Sequence, residues 1–330
     1  MTHVAVPPFR PAWWLPGGHL QTAVPALLPG PRVPVARRMV VEVAPGNAVR
    51  VDLGVQAGSA RGTLVLLHGM CGSAESPYMR WCAAAAVRRG WVAARMNLRT
   101  CGGTELLATT LYNAGQSDDL TRVLEALDRA RLPRPFAVAG VSLGGNIVLR
   151  EAGRSGAECR ADAVAAVNPP VDLAACAAAI ERPRNRVYRW YFVQRLCDQL
   201  RRASRRRGAG PRPWPWAVRT VRRFDERYTA PDGGYRGADE YYENASSGPW
   251  LGGIARPAWI LSAVDDPFVE AAIFTRWNPG GRVRIDHPAG GGHCGYRQWG
   301  RPAFWPAEAL LDYFESVTPR RSRRIPVRRP

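Results

Sequence analysis

An α/β fold, with a mostly parallel eight-stranded sheet covered by helices on both faces, is what this chain of 330 residues predicts. Three observations carry the expectation. Eight short β-like runs recur along the sequence, helix-like segments alternate with them from the third run onward, and 46% of the residues are apolar, enough to build a large core. The runs are Arg38 to Val43, Val49 to Gly54, Thr63 to Leu67, Val92 to Asn97, Phe136 to Val141, Ala163 to Asn168, Ala258 to Ala263 and Val283 to Asp286. The intervening helices are expected over Tyr78 to Arg89, Ser117 to Ala130, Gly145 to Gly153 and Pro306 to Ser316. No internal repeat is evident, and the length suits one domain over 1–318 with a terminal arginine-rich tail over 319–330.

The alternation breaks between Asn168 and Ile254, an interval far longer than the few residues that usually join such elements. A helical cap insertion over about 170–253 is expected there. It holds the aromatic stretch Val187 to Val193 and the Trp214-Pro215-Trp216 turn, which either wall an acyl-sized pocket or anchor the cap to the body.

Chemistry is concentrated where strands end, as binding crevices are in open α/β sheets. The run Phe136 to Ala139 leads into Gly140-Val141-Ser142-Leu143-Gly144 and then into a helix-like stretch. Gly-x-Ser-x-Gly at a strand-to-helix turn is a tight, strained corner that lifts the serine hydroxyl clear of the sheet, so Ser142 is the candidate nucleophile. A hydroxyl needs a base, and only His287 and His293 follow the serine. His287 reads as a strand end. His293 lies in the loop Gly290 to Gly295, where glycines let an imidazole approach without obstruction. A carboxylate to orient that imidazole comes from Asp265 or Asp266 at the end of the seventh run. Asp266 is favoured because it precedes Pro267-Phe268-Val269, and Asp265 then stabilises the loop. Serine, acid, histidine is the α/β-hydrolase order.

Acyl transfer also needs donors for the developing oxyanion. The amide of Leu143, directly after the nucleophile, supplies one. The run Thr63 to Leu67 leads straight into His68-Gly69-Met70-Cys71-Gly72, and the amide of Met70 is assigned as the second, with His68 structural. The chemistry expected is a two-step transfer through an acyl-serine, needing no metal or organic cofactor.

Further blocks carry a resemblance to a known family. They are Pro16 to Thr22, His68-Gly69 with Gly72-Ser73 and Glu75-Ser76, Asn97 to Thr104, Leu111 to Leu120, Gly140 to Asn146 and Asn168 to Leu173. Tyr228 to Pro231, Gly233 to Tyr235, Tyr241-Tyr242, Asp265 to Pro267 and Gly291 to His293 complete the set. In this order, over almost the whole chain, they resemble the YheT-like subfamily of α/β hydrolases, which includes the eukaryotic ABHD1, ABHD2 and ABHD3 proteins. The resemblance implies the α/β-hydrolase fold and a serine hydrolase of carboxylic esters, of acyl or lipid-like type, with the triad on Ser142, Asp266 and His293. One departure is Thr100, where the family usually has glycine; the loop around it is expected to be reshaped. His19, in the first block, is expected to hydrogen-bond the N-terminal segment to the body.

The formal charge is +19, and every basic residue is arginine. Arginines concentrate in the cap between Arg182 and Arg227, including Arg205 to Arg207, and in the tail. Such patches attract anionic surfaces, although arginine without any lysine also fits a coding bias. A small-molecule ester is the expected partner, with peripheral contact to an anionic membrane surface through cap and tail. No zinc-finger spacing or ribonucleoprotein signature points to specific nucleic-acid binding. Acyl transfer to an alcohol and a basic binding module are the alternatives to hydrolysis. Seven cysteines without paired or zinc spacing, no secretory signal and no run of ~18 apolar residues predict a cytoplasmic or membrane-peripheral protein.

Overall fold

A computed structural model describes residues 8–55, 60–207, 215–300 and 303–318. The tail over 319–330 and Trp214 of the aromatic turn lie outside the described residues.

All eight runs form strands of one sheet: β1 (Arg37–Ala44), β2 (Asn47–Gly54), β3 (Thr63–Leu67), β4 (Val92–Asn97), β5 (Phe136–Val141), β6 (Ala163–Val167), β7 (Ala258–Leu261) and β8 (Val283–Asp286). Their spatial order is β1-β2-β4-β3-β5-β6-β7-β8. Strand β2 pairs antiparallel with both β1 and β4, and the strands from β4 across to β8 are mutually parallel.

Period-two alternation divides the interior into two cores. In β3, Val65 and Leu67 face one side while Leu64 and Leu66 face the other. The second side is covered by α2 (Pro77–Arg88), through Met79, Cys82 and Ala86, and by the C-terminal helix Trp305–Val317, through Leu310, Leu311 and Phe314. The first side is covered by α3 (Asp118–Arg129), whose Leu120, Val123, Leu124 and Leu127 repeat at helical spacing, and by α4 (Leu143–Ser155). In the central strands β3, β5, β6 and β7 both faces are largely apolar, as a parallel sheet buried on both sides requires.

One helix escaped the sequence reading. Gly17–Leu27 forms α1, which begins inside the Pro16 to Thr22 block. It has no acidic first turn and no side-chain cap, so the usual start signals are missing.

Between β6 and β7 the chain leaves the sheet. It forms α5 (Leu173–Glu181), capped by Asp172 accepting from the Ala175 amide at 2.9 Å, and then α6 (Arg186–Arg207), the longest helix described. Short helical turns follow, including a π-helical turn at Asp225–Thr229, and then the helix Ala238–Ala245. This segment packs over the carboxyl ends of the strands, and α5 and α6 wall the cavity there.

Candidate active site

The sheet order places β3 between β4 and β5, so the chain departs in opposite directions from the carboxyl ends of β3 and β5. That reversal is a topological switch point, where a crevice opens between adjacent loops. The His68-Gly69-Met70 loop leaves β3 and the Ser142 turn leaves β5. They meet closely, since a Cβ on Gly69 would lie 3.0 Å from Ser142 Cβ.

Ser142 has φ 53° and ψ −125°, a conformation normally left to glycine. Holding it costs about 1–3 kcal/mol, which the surroundings must over-determine. They do so through the backbone: the Ser142 amide donates to Val167 O at 2.8 Å, and Ser142 O accepts from the amides of Gly145 and Asn146 at 2.8 and 3.1 Å. The flanking glycines are sterically required. A Cβ on Gly140 would land on the Gly144 carbonyl, and one on Gly144 would lie 2.5 Å from Leu67 O. Leu143 opens α4, so its amide belongs to a helix N-terminus, where unsatisfied donors and the helix dipole favour negative charge.

Three side chains predicted from separate loops come together. Ser142 Oγ donates to His293 Nε2 at 2.8 Å, and His293 Nδ1 donates to Asp266 Oδ2 at 2.8 Å. A carboxylate can only accept, which fixes the imidazole with its proton on Nδ1 and a lone pair toward the serine. Asp266 is held in turn by the amides of Phe268 (2.8 Å) and Val269 (3.0 Å) on Oδ1. Asp265 does not reach the imidazole; its Oδ1 accepts from the Gly292 amide at 2.8 Å and shapes the loop that carries His293. Burial lowers the His293 pKa, but the Asp266 carboxylate outweighs it, leaving the pKa well above 6.5.

The remaining histidines are placed by other bonds. His68 is fully buried, with Nδ1 donating to Gly69 O at 2.8 Å and Nε2 accepting from the Leu98 amide at 3.1 Å. Burial lowers its pKa to about 4, so it is a neutral strut between two loops. His287 contacts Ser262 O at 3.0 Å, one residue beyond β8. His19 ties the N-terminal segment by a hydrogen bond, as expected, with its Nδ1 3.2 Å from Tyr188 Oη, but the partner belongs to α6. It stacks on Tyr188 of α6 with centroids 5.7 Å apart, and Tyr188 Oη donates to His19 O at 3.1 Å, so the tie runs to the helix over the cavity.

Sequence reasoning missed two residues that hold this arrangement. Thr22 Oγ1 accepts from the His293 amide at 2.8 Å while donating to Gly18 O at 2.6 Å. Asn168, just past β6, donates through Nδ2 to Asp266 Oδ2 and to Gly292 O. Both lie in blocks that carried the family resemblance, but nothing in their spacing marked them as site residues. Thr100 sits at φ 57° and is fully buried, so the loop holds a β-branched residue where backbone geometry favours glycine. Gln199 of α6 donates to its carbonyl (3.2 Å) and hydroxyl (3.1 Å).

Ser142, Leu143, Met70 and His293 line one cavity of about 870 Å³, much of whose wall is apolar and comes from α1, α5 and α6. The aromatics of α6 split by helix face. Tyr188 and Phe192 pack edge-on against Phe268 (4.8 and 5.7 Å), which packs against His293 (4.9 Å). Val187, Trp190 and Tyr191 are exposed. Cys71 and Cys294 also reach the cavity; burial pushes the Cys71 thiol up to about 12 and raises that of Cys294, so both stay neutral thiols. Asp225, a buried carboxylate in the wall, accepts from Tyr242 Oη at 2.7 Å, and burial raises its pKa to about 6.

A mostly parallel eight-stranded sheet with a serine on the sharp turn after its central strand defines the α/β-hydrolase class. The sequence profile of the Alpha/beta hydrolase family matches residues 64–304. YheT of Escherichia coli (strain K12) is 33% identical over 240 residues, covering 71% of this chain and 70% of that protein. Phospholipase ABHD3 of Mus musculus is 27% identical over 271 residues, 76% of this chain and 61% of that protein. The solved esterase Pf2001 of Pyrococcus furiosus superposes with a TM-score of 0.55 at 14% identity, covering 83% of this chain and 91% of that one, a likeness of fold. The chain belongs to the alpha/beta hydrolase family, in the subfamily of YheT and the ABHD proteins, among the hydrolases of esterase and lipase type. No helix among the described residues is long and apolar enough to cross a membrane.

Proposed function

We propose that the protein hydrolyses carboxylic esters of apolar acyl chains, with Ser142 as nucleophile, His293 as base and acid, and Asp266 as orienting carboxylate. The observation that carries this reading is the unbroken chain of two 2.8 Å contacts from Ser142 through His293 to Asp266, opening into a largely apolar cavity. Lipid-like substrates are supported by the cavity's size and by the similarity to ABHD3, a phospholipase.

In the first step Ser142 Oγ attacks the ester carbonyl as His293 Nε2 takes its proton. The tetrahedral oxyanion is held by the amides of Leu143 and Met70. Collapse expels the alcohol, which receives that proton from His293, and leaves an acyl-serine. Water then attacks, giving its proton to Nε2, and the acid departs as the proton returns to Ser142. Asp266 stabilises the imidazolium formed twice in the cycle without itself taking the proton.

The test is turnover of p-nitrophenyl esters from acetyl to palmitoyl by the wild-type chain and by Ser142→Ala. A preferred chain length with a loss of roughly four orders of magnitude in the variant supports the reading. Serine-independent turnover, or none at any length, rejects it.

A further inference from the structure

Helix α6 has two apolar faces. Val193, Leu196, Cys197 and Ala203 are buried toward the body, at the spacing one helical stripe requires. The first turns also carry Val187, Trp190 and Tyr191, which are 68, 64 and 49% exposed. Beside it runs α1, stitched to α6 by the His19–Tyr188 contacts, with Leu20 and Leu27 seven residues apart and 43 and 84% exposed. Val187, Trp190, Tyr191 and Leu27 all border the cavity that contains Ser142. An apolar collar therefore runs along the α1 and α6 side of the opening, and contiguous exposed patches of this kind mark interaction sites.

The charge on α6 selects what the collar meets. Over Arg186–Arg207 the helix has eight arginines against one acidic residue, Asp198. Arg186 is exposed beside the apolar stripe, whereas Arg189 and Arg195 donate to the backbone carbonyls of Glu181 (3.4 Å) and Cys71 (3.5 Å); among the described residues none of the three has a carboxylate partner. Exposed tryptophan and tyrosine beside arginines is the composition of a helix lying in a lipid interface, with rings at headgroup depth and guanidinium groups on lipid phosphates.

We infer that the exposed face of α6 with the Leu20–Leu27 side of α1 docks on an anionic lipid surface, setting the cavity mouth against the bilayer. An acyl chain then passes from one apolar phase into another without exposing its methylenes to water. The inference rests on the esterase reading for what enters the cavity, but the docking itself is measured separately.

The test is co-sedimentation of the full chain with vesicles of equal parts phosphatidylglycerol and phosphatidylcholine, and with phosphatidylcholine alone. In parallel, turnover of p-nitrophenyl butyrate dissolved as monomer reports the catalytic site. The double variant Leu20→Asp, Arg186→Glu alters the collar while leaving the cavity lining intact, and Trp190→Ser removes the largest exposed ring. Wild type is expected to prefer the anionic vesicles. Each variant is expected to lose at least about tenfold in binding, and the double variant should keep its soluble-ester turnover. Wild type that ignores anionic vesicles, or variants that bind them equally well, overturns the inference. So does a wild-type dimer that the variants convert to monomer, because the face would then cover a second copy. Absent turnover over the whole acetyl-to-palmitoyl p-nitrophenyl series, with intact, collar-dependent vesicle binding, would instead overturn the esterase reading and leave the docking standing.

Discussion

Asn168 binds the same carboxylate oxygen of Asp266 that faces His293 Nδ1, and with the same amide it reaches the carbonyl of Gly292, the residue before the histidine. One side chain thus fixes both the acid and the loop carrying the base. Its φ of 47° suits asparagine or glycine. Asn168→Gly keeps that backbone and removes the amide. The expected result is a fall in kcat of about tenfold to a hundredfold, the scale of a small misplacement of reacting groups, with KM little changed. Steady-state kinetics on a soluble ester checks the split.

Asp266→Asn is expected to reduce kcat by about four orders of magnitude, because the amide cannot stabilise the imidazolium and presents the wrong partner to Nδ1. Asp265→Asn should cost far less, since that carboxylate meets only the loop backbone. Comparing the two variants under one assay separates the neighbouring carboxylates.

The pH profile follows from the raised pKa of His293. The base must be neutral to accept the serine proton, so kcat/KM should rise with pH through a limb lying above 6.5. In Asp266→Ala the carboxylate that raises the pKa most is gone while burial remains, so the residual activity should show that limb shifted to lower pH. A limb that stays in place would mean that another group titrates.

Backbone strain at the nucleophile predicts a trade of stability for activity. Ser142→Gly should abolish turnover yet raise stability by about 1 kcal/mol, relief of strain exceeding the added flexibility of glycine in the unfolded chain. Thermal midpoints of the two proteins check this. Gly140→Ala should do the reverse, losing about 1–3 kcal/mol or more as the methyl is forced onto the Gly144 carbonyl.

Strands β3, β5, β6 and β7 were legible as near-continuous apolar runs, and β1, β2, β4 and β8 as shorter apolar stretches interrupted by charged side chains, both local signals. Ser142, Asp266 and His293 were legible because each sits in a loop that directly follows such a run. What could not be read were partners set by distant packing. Thr22 and Asn168 contribute one hydroxyl and one amide, residue types found in any loop, and only the folded chain brings them to His293 and Asp266. Helix α1 escaped because it begins at Gly17 without a cap and contains Pro25. The division of α6 into an anchoring face and an exposed face was equally hidden, since aromatic residues occupy both and the sequence does not say which turns inward.

The bond from the His293 amide to Thr22 Oγ1 joins residues 271 positions apart. Around it the two segments interlock so closely that a Cβ on Gly292 would strike Gly18 O. A ribosome therefore delivers the serine half a chain before it delivers the base, and the loop carrying that base can take its final shape only by returning to helix α1. Between residues 142 and 293 the nascent polypeptide carries an unactivated hydroxyl. The proposed catalytic triad is therefore completed late, by the closing of one long loop.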